Sequence, residues 1–436
     1  MPLTGRRTFV GFGFGAIQSG LFLYEAFHSG SFRRLVIAEV LPEVVQAVRR
    51  EGGLFCVNIA HPDRVESVCI GPVEINNPAV EADRDALLAA IAEAEEIATA
   101  VPSVAFYVSD EPGSIHRLLA AGLCRKVEQG GSRAVIYAAE NHNHAAETLE
   151  AAVMSLVPQE MQAAIHARVR FLNTVIGKMS QVVADLEEVR ARHLAPITPG
   201  FPRAFLVEAF NRILITRVQF PEPFERGIRV LMEKDDLLPF EEAKLYGHNA
   251  THALLGYLGA MLGTLRVADL QNVPGLLSFA RRAFIEESGA ALIRKHAGLD
   301  PLFTPEGYRN FADDLIERMT NPFLVDLIER VTRDTERKLG WNDRLVGTMR
   351  VALEQGVVPR RYALGAAAAL ARLDPATLEG RRPAGEPLEA LWREVPPSQA
   401  ERDRLVALIE AALVDLRAWR ADGFPNLETF YEYKHA

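Results

Sequence analysis

Thr8-Phe9-Val10-Gly11-Phe12-Gly13-Phe14-Gly15-Ala16-Ile17-Gln18-Ser19-Gly20 sets a short β-type run directly against a cluster of glycines, and a helical stretch, Ile17 to His28, follows. A turn that receives a phosphate needs glycine there, because a Cβ blocks the tight bend and keeps backbone N–H groups away from the anion. Written Gly13-x-Gly15-x-x-Gln18-x-Gly20, the pattern departs from the usual dinucleotide fingerprint at its third glycine, which is Gln18 here. By itself a glycine-rich strand end is often only a turn. The context strengthens it: a second β-type run, Leu35 to Ala38, ends at Glu39, 19 residues past Gly20. A carboxylate there accepts hydrogen bonds from the adenosine ribose of NAD and repels the extra phosphate of NADP; its plainer reading is a solvated strand-end charge. Gly13, Gly15, Ala16, Ile17, Gly20 and Glu39 are the candidate NAD-binding residues, and the nearby Arg33 and Arg34 leave strict NAD preference open.

Outward from this turn, short β-rich runs alternate with helical ones from Arg7 to about Phe220, the signature of helices on a largely parallel sheet. Strands are predicted at Thr8 to Gly11, Leu35 to Ala38, Ser67 to Ile70, Ser103 to Val108 and Ala134 to Ala138. Helices are predicted at Pro42 to Arg50 and Asp83 to Ala100. A further β-type run, Ala209 to Gln219, lies between proline-rich breaks, and from Phe240 onward nearly everything is helical by period. Pro383 to Pro397 reads as a loop before a last helix, Gln399 to Ala421. The expected fold is α/β: a Rossmann-type N-terminal domain over residues 1–222 followed by an all-helical C-terminal domain over 223–436.

The 436 residues are 49% hydrophobic and 24% charged, which excludes disordered, collagen-like and disulfide-scaffold chains. A formal charge of −9 without a basic block makes nucleic acid and anionic membrane poor partners. No apolar run reaches the roughly 18 to 20 residues that a membrane-spanning helix needs. Arg6-Arg7 followed by apolar residues looks superficially like a twin-arginine export signal, but Glu25-Ala26-Phe27-His28 offers no small-residue cleavage site. Three cysteines, Cys56, Cys69 and Cys124, without a C-x-x-C pair point to a reducing compartment and a cytoplasmic location.

The second constellation is Lys244-Leu245-Tyr246-Gly247-His248-Asn249-Ala250-Thr251-His252. At about 100° per residue, Lys244, His248, Asn249 and His252 fall at about 0°, 40°, 140° and 80°, one polar arc on a helix otherwise small or apolar. Such an arc fits a cleft, or equally a surface face with a satisfied histidine. His248 and His252 share the spacing of zinc proteases, but position 249 is Asn where that chemistry needs Glu as base, so no metal is expected.

Lys244-x-x-x-x-Asn249-x-x-His252, together with the divergent glycine turn, resembles the polyol-specific long-chain dehydrogenases, the mannitol dehydrogenase family. Ala138-Ala139-Glu140-Asn141 and Glu286-Glu287-Ser288-Gly289 are similar to further segments of that family. Asn321-Pro322-Phe323 through Arg330-Val331, Arg337-Lys338-Leu339 to Asp343-Arg344-Leu345, Val207-Glu208-Ala209-Phe210 and Val218-Gln219-Phe220 resemble its mannitol-1-phosphate 5-dehydrogenase branch. The resemblance covers most of residues 7 to 375. It implies a metal-independent, NAD-dependent oxidoreductase with its active site between the two domains. Lys244 would be the base, Asn249 and Asn141 donors to the reacting oxygen, and His252 an orienting or proton-assisting group. The substrate would be a small polyol or sugar phosphate, the assembly a monomer or homodimer. Where many members carry V-D-R-I, this chain has Ile176-Gly177-Lys178-Met179, which removes a polyol-holding Asp. A phosphate needs cations, and Lys338, Arg344 or Lys178 are available without any being singled out. The rival readings are a mannitol 2-dehydrogenase, a hexuronate (fructuronate or tagaturonate) reductase, and a non-catalytic NAD sensor motivated by the missing Asp.

Overall fold

The computed structural model describes residues 5–393 and 398–435. The chain divides between Leu238 and Pro239 into two compact units, the first built on sheets and the second helical.

Twelve strands belong to the first unit: β1 (Arg7–Phe12), β2 (Phe32–Ala38), β3 (Phe55–Ala60), β4 (Val65–Ile70), β5 (Glu74–Asn76), β6 (Glu96–Thr99), β7 (Ala134–Ala138), β8 (Val169–Val175), β9 (Ser180–Val183), β10 (Ala204–Glu208), β11 (Ile213–Thr216) and β12 (Leu231–Lys234). Eight form a sheet in the order β12-β11-β8-β7-β6-β1-β2-β5, parallel except where β11 meets β8. The other four form a second sheet, β4-β3-β10-β9, that the sequence pattern did not separate from the first. β1 lies inside the large sheet between β2 and β6, which explains its run of buried Phe9, Val10 and Phe12. The chain order reverses there, because β2 lies on one side of β1 and β6 on the other, and open parallel sheets bind ligands at such a point.

Several expectations are corrected. The predicted helix Asp83 to Ala100 is a helix only over Glu81–Glu93; Ala94 turns extended and residues 96–99 are β6. All four residues of β6 are buried, so no alternation distinguishes this strand from a helix end. Glu96 can lie there because Tyr137 donates a 2.8 Å hydrogen bond to its carboxylate and the Gly227 N–H donates another. The predicted strand Ser103 to Val108 is a single 3₁₀ turn, Val104–Tyr107, started by the Ser103 hydroxyl accepting from Ala105 N at 3.2 Å. The β-type run Ala209 to Gln219 narrows to β11, with β10 preceding it. Within Pro383 to Pro397, Gly385–Leu391 is a helix, and residues 394–397 lie outside the described residues. Cys56 and Cys69 face each other across antiparallel β3 and β4, with Cα atoms 3.9 Å apart, and form a disulfide. The register of a hairpin is invisible in cysteine spacing, and with this bond the cysteine argument for a reducing compartment loses its premise.

The described residues of the second unit form helices joined by turns and loops, with one isolated bridge, Arg266 to Leu327. Its last long helix, Gln399–Ala421, begins where expected because the Ser398 hydroxyl caps Glu401 N at 3.3 Å. Among the described residues no helix is long and apolar enough to cross a membrane.

Candidate active site

In the sheet unit, β1 ends at Phe12 and the chain turns through Gly13 at φ +84°, a conformation that favours glycine. A cavity of about 1280 Å³ opens at this turn. Gly13, Gly15, Ala16, Ile17 and Glu39 line it, and a Cβ on Gly15 would meet nothing within 4 Å, so the backbone there is open to a ligand. Gly20 is not among the lining residues. It is buried one step further along the helix, where a Cβ would stand 2.5 Å from Val207 Cγ1, so its small size serves packing on β10.

Gln18, the departure from the glycine fingerprint, has a local explanation. Its side chain is buried and reaches over Gly11 on β1, where a Cβ would lie 2.2 Å from Gln18 Nε2. The third glycine of the usual pattern allows the helix to approach the strand. Here the glycine stands on the strand and the helix carries the large side chain. The segment Gln18–Leu23 is wound as a π-helix and passes into an α-helix at Tyr24.

Glu39 is 7% exposed, and one carboxylate oxygen accepts from Leu41 N at 2.8 Å. Burial raises its pKa, opposed by the backbone N–H groups of Leu41, Phe14 and Val40. Beside it the cavity wall is apolar but solvent-facing: Val40, Leu41, Phe106 and Val108 are all exposed. Arg33 and Arg34 are absent from the lining residues, and Arg34 is committed to Glu74 and Glu93 at 2.7 Å each. At the end of β7, Ala139 lines the cavity, Glu140 is buried and Asn141 is exposed. Glu140 anchors this corner by accepting from Thr99 Oγ1 and Val101 N, each at 2.9 Å, and from the Tyr107 hydroxyl.

In the helical unit, Lys244 and Asn249 lie within a π-wound segment, Ala243–Asn249, that passes into the α-helix Ala250–Met261. The uniform advance of 100° per residue therefore fails here. Hydrogen bonds to the fifth residue, such as Ala250 N to Leu245 O, bring position i+5 back over position i. Lys244 and Asn249 are such a pair, aligned by the winding where an α-helix would hold them about 140° apart. Gly247 allows the segment to pack closely, since a Cβ would lie 2.6 Å from Phe284 Cε2 and 2.8 Å from the Tyr308 hydroxyl.

Burial pushes the Lys244 ammonium down to about 8; the Glu241 carboxylate opposes this and Arg344 adds to it. His248 is buried and held well below its usual value, first by burial and then by His252, Arg318, Lys244 and Arg344. The Asn249 amide is half-buried and makes no hydrogen bond among the described residues, so its donors are available. His252 Nε2 stands 2.8 Å from Asp326 Oδ2, and Arg330 holds the other Asp326 oxygen at 2.6 Å. Burial pushes the Asp326 carboxyl up, but its contacts with His252 and Arg330 outweigh this and hold it below the usual range. Asp326 lies within residues 321–331, four residues before Arg330, and no motif or spacing in the sequence marks it as a partner of His252.

The three cations considered for a phosphate differ sharply. Lys178 Nζ donates to the carbonyls of Glu208 and Phe210, at 2.5 and 2.9 Å, and to Asn211 Oδ1 at 2.7 Å, so it is structural. Lys338 is buried, donates to the Arg333 carbonyl, and is pushed down to about 8 by burial, Arg344 and Arg337. Arg344 pairs with Asp343 at 2.9 Å and is the common cation acting on Lys244, His248 and Lys338.

Comparison with known proteins gives matching results. A Mannitol dehydrogenase Rossmann domain matches residues 7–222, and a Mannitol dehydrogenase C-terminal domain matches residues 236–414. A mannitol-1-phosphate 5-dehydrogenase of Brevibacillus brevis is 28% identical over 365 residues, covering 79% of this chain and 86% of that protein. Among solved structures, a substrate-free D-sorbitol dehydrogenase superposes with a TM-score of 0.74 at 15% identity, over 94% of this chain and 95% of the other. Pseudomonas fluorescens mannitol 2-dehydrogenase, solved with NAD and D-mannitol, superposes with a TM-score of 0.67 at 17% identity, over 96% and 93%.

Proposed function

Because the chain belongs to the mannitol dehydrogenase family, we propose that it is an NAD-dependent dehydrogenase that interconverts mannitol 1-phosphate and fructose 6-phosphate without a metal. The sheet-unit cavity fits the coenzyme chemically. The open backbone at Gly15 and the N–H groups of Ala16 and Ile17 suit a diphosphate, and the anchored Glu39 carboxylate suits ribose hydroxyls. When bound, NAD supplies the acceptor for the hydrogen that leaves the carbinol carbon with its electron pair.

Lys244 takes the hydroxyl proton on Nζ in the oxidative direction and returns it from the ammonium in the reductive one. The observation that carries this reading is the depression of Lys244 to about 8, which leaves both protonation states populated near neutral pH. Asn249 donates a hydrogen bond to the substrate oxygen as it gains negative charge. His252, fixed through Asp326 and Arg330, orients the substrate. Arg344, whose charge acts on both Lys244 and Lys338 although Asp343 pairs with it at 2.9 Å, is the cation that favours an anionic substrate. That same charge suits the carboxylate of fructuronate or tagaturonate, which keeps a hexuronate reductase as the second reading.

Steady-state assays with NADH and fructose 6-phosphate, fructose, fructuronate or tagaturonate test the assignment. Turnover with the highest kcat/KM is expected on fructose 6-phosphate. Preference for fructose would overturn the phosphate assignment, and preference for a hexuronate would move the chain to the second reading.

A further inference from the structure

We propose that Arg203 is a coenzyme-binding residue whose guanidinium pairs with the diphosphate at the glycine turn. The inference rests on the reading of the sheet-unit cavity as the NAD cleft and names a cation for it that no sequence pattern marks.

β10 runs alongside the helix that follows the turn, in step with it. The Phe205 ring meets Phe14 edge-on at 5.4 Å, Val207 faces Gly20, and Asn211 donates to the Glu25 carboxylate. Phe205 and Val207 thus direct their side chains to the helix, since alternate residues of a strand share a face. Arg203 stands immediately before β10, two residues ahead of Phe205, and lines the same cavity as Phe205 beside the glycine turn. Its carbonyl accepts from Ile197 N at 2.8 Å, which fixes the backbone from which the side chain extends, and Arg203 lines the cavity with Gly13 and Gly15.

The charges in the cavity wall narrow the choice further. They are Glu39, Arg84, Glu111 and Arg203. Arg84 Nη1 is committed to the carbonyls of Pro78 and Ala79, at 3.1 Å each. Among the described residues the Arg203 guanidinium has no hydrogen bond or ion pair. A diphosphate carries two negative charges, whereas a helix N-terminus offers roughly half a positive charge. A planar guanidinium with parallel N–H groups adds a full positive charge and can engage two phosphate oxygens together.

The test is calorimetric titration of the full chain, wild type and Arg203→Gln, with NADH, NADPH and ADP-ribose, and with adenosine by competition against NADH. Loss of a charged hydrogen-bonding partner weakens binding by about 10- to 100-fold. NADH and ADP-ribose should weaken by that factor and adenosine, which has no phosphate, should not. Arg203→Lys should recover part of the loss, and unliganded melting temperatures should match wild type. Unchanged ADP-ribose affinity in a folded variant would overturn the proposal, as would an equal loss for adenosine, or a loss confined to NADPH that places the charge at a 2′-phosphate. If wild type binds neither NADH nor ADP-ribose, the reading of the cleft itself fails and this inference with it.

Discussion

The exchange of sizes between Gly11 and Gln18 predicts a coupling that a double-mutant cycle can measure. A Cβ at position 11 would stand 2.2 Å from Gln18 Nε2 and 2.6 Å from Ile37 Cδ1, both far inside contact distance. Gly11→Ala must therefore displace the glutamine amide and shift Ile37, an overpacking cost of about 1–3 kcal/mol. Gln18→Ala alone loses buried side-chain packing, but it also removes an amide whose Oε1 and Nε2 are buried without a hydrogen-bond partner. An unsatisfied buried amide costs about 1–3 kcal/mol, so the two effects of this substitution nearly offset. With the glutamine gone, two of the three nearest atoms are removed, and of those three only the flexible end of Ile37 is left against the methyl group introduced by Gly11→Ala. The double variant should thus be less destabilised than the sum of the single ones, by about 1–2 kcal/mol. The tryptophans, Trp341, Trp392 and Trp419, all belong to the helical unit, so their fluorescence does not report on β1. Native-state hydrogen exchange of peptides spanning residues 7–12 does. Additive effects, or a neutral Gly11→Ala, would refute the argument that Gln18 occupies the space of the missing Cβ.

In the helical unit, Lys244 must be neutral to accept a proton, so kcat for polyol oxidation should rise with pH through about 8 while ketose reduction falls over the same interval. Arg344 lowers that pKa, so Arg344→Met should move both midpoints to higher pH in pH–rate profiles. Burial raises Glu287 from 4.5 to about 7, against the backbone N–H groups of Arg361 and Tyr362 that it accepts from. Its folded value lies above its unfolded one, so its contribution is present below 4.5 and is lost as pH rises through about 7, on the order of 3 kcal/mol. Tryptophan-detected urea unfolding should show this slope in wild type and a flatter one in Glu287→Gln. Asp326→Asn should lower kcat by about 10- to 100-fold through loss of a charged contact to His252, with the NADH dissociation constant unchanged in fluorescence titration.

The glycine turn, the acid at the end of β2 and the polar helix were legible because each carries its own chemistry in consecutive or regularly spaced residues. What escaped depends on partners distant in sequence. Gln18 departs from the fingerprint because its side chain fills the space above Gly11 on β1, a neighbour seven residues earlier. β6 read as helix because a four-residue strand buried on both faces has no alternation, and its Ala and Glu content favours helix locally; pairing with β1 and β7 overrides that preference. The arc Lys244, His248, Asn249 and His252 follows from α-helical spacing, whereas the segment Ala243–Asn249 is π-wound, a departure that the hydrophobic period does not reveal. Asp326 becomes part of the site only through its contact with His252, 74 residues earlier in the chain.

Proton transfer by the amine of Lys244 is the step on which the proposed activity turns. Lys244→Met, assayed with fructose 6-phosphate and NADH alongside fluorescence titration of NADH alone, addresses it most directly. Turnover should fall by at least the roughly 10²- to 10⁴-fold typical of a lost acid–base group, with NADH affinity within about twofold of wild type. Retained turnover in this variant would contradict the claim, and wild-type NADH binding without turnover on any polyol or ketose would identify a sensor.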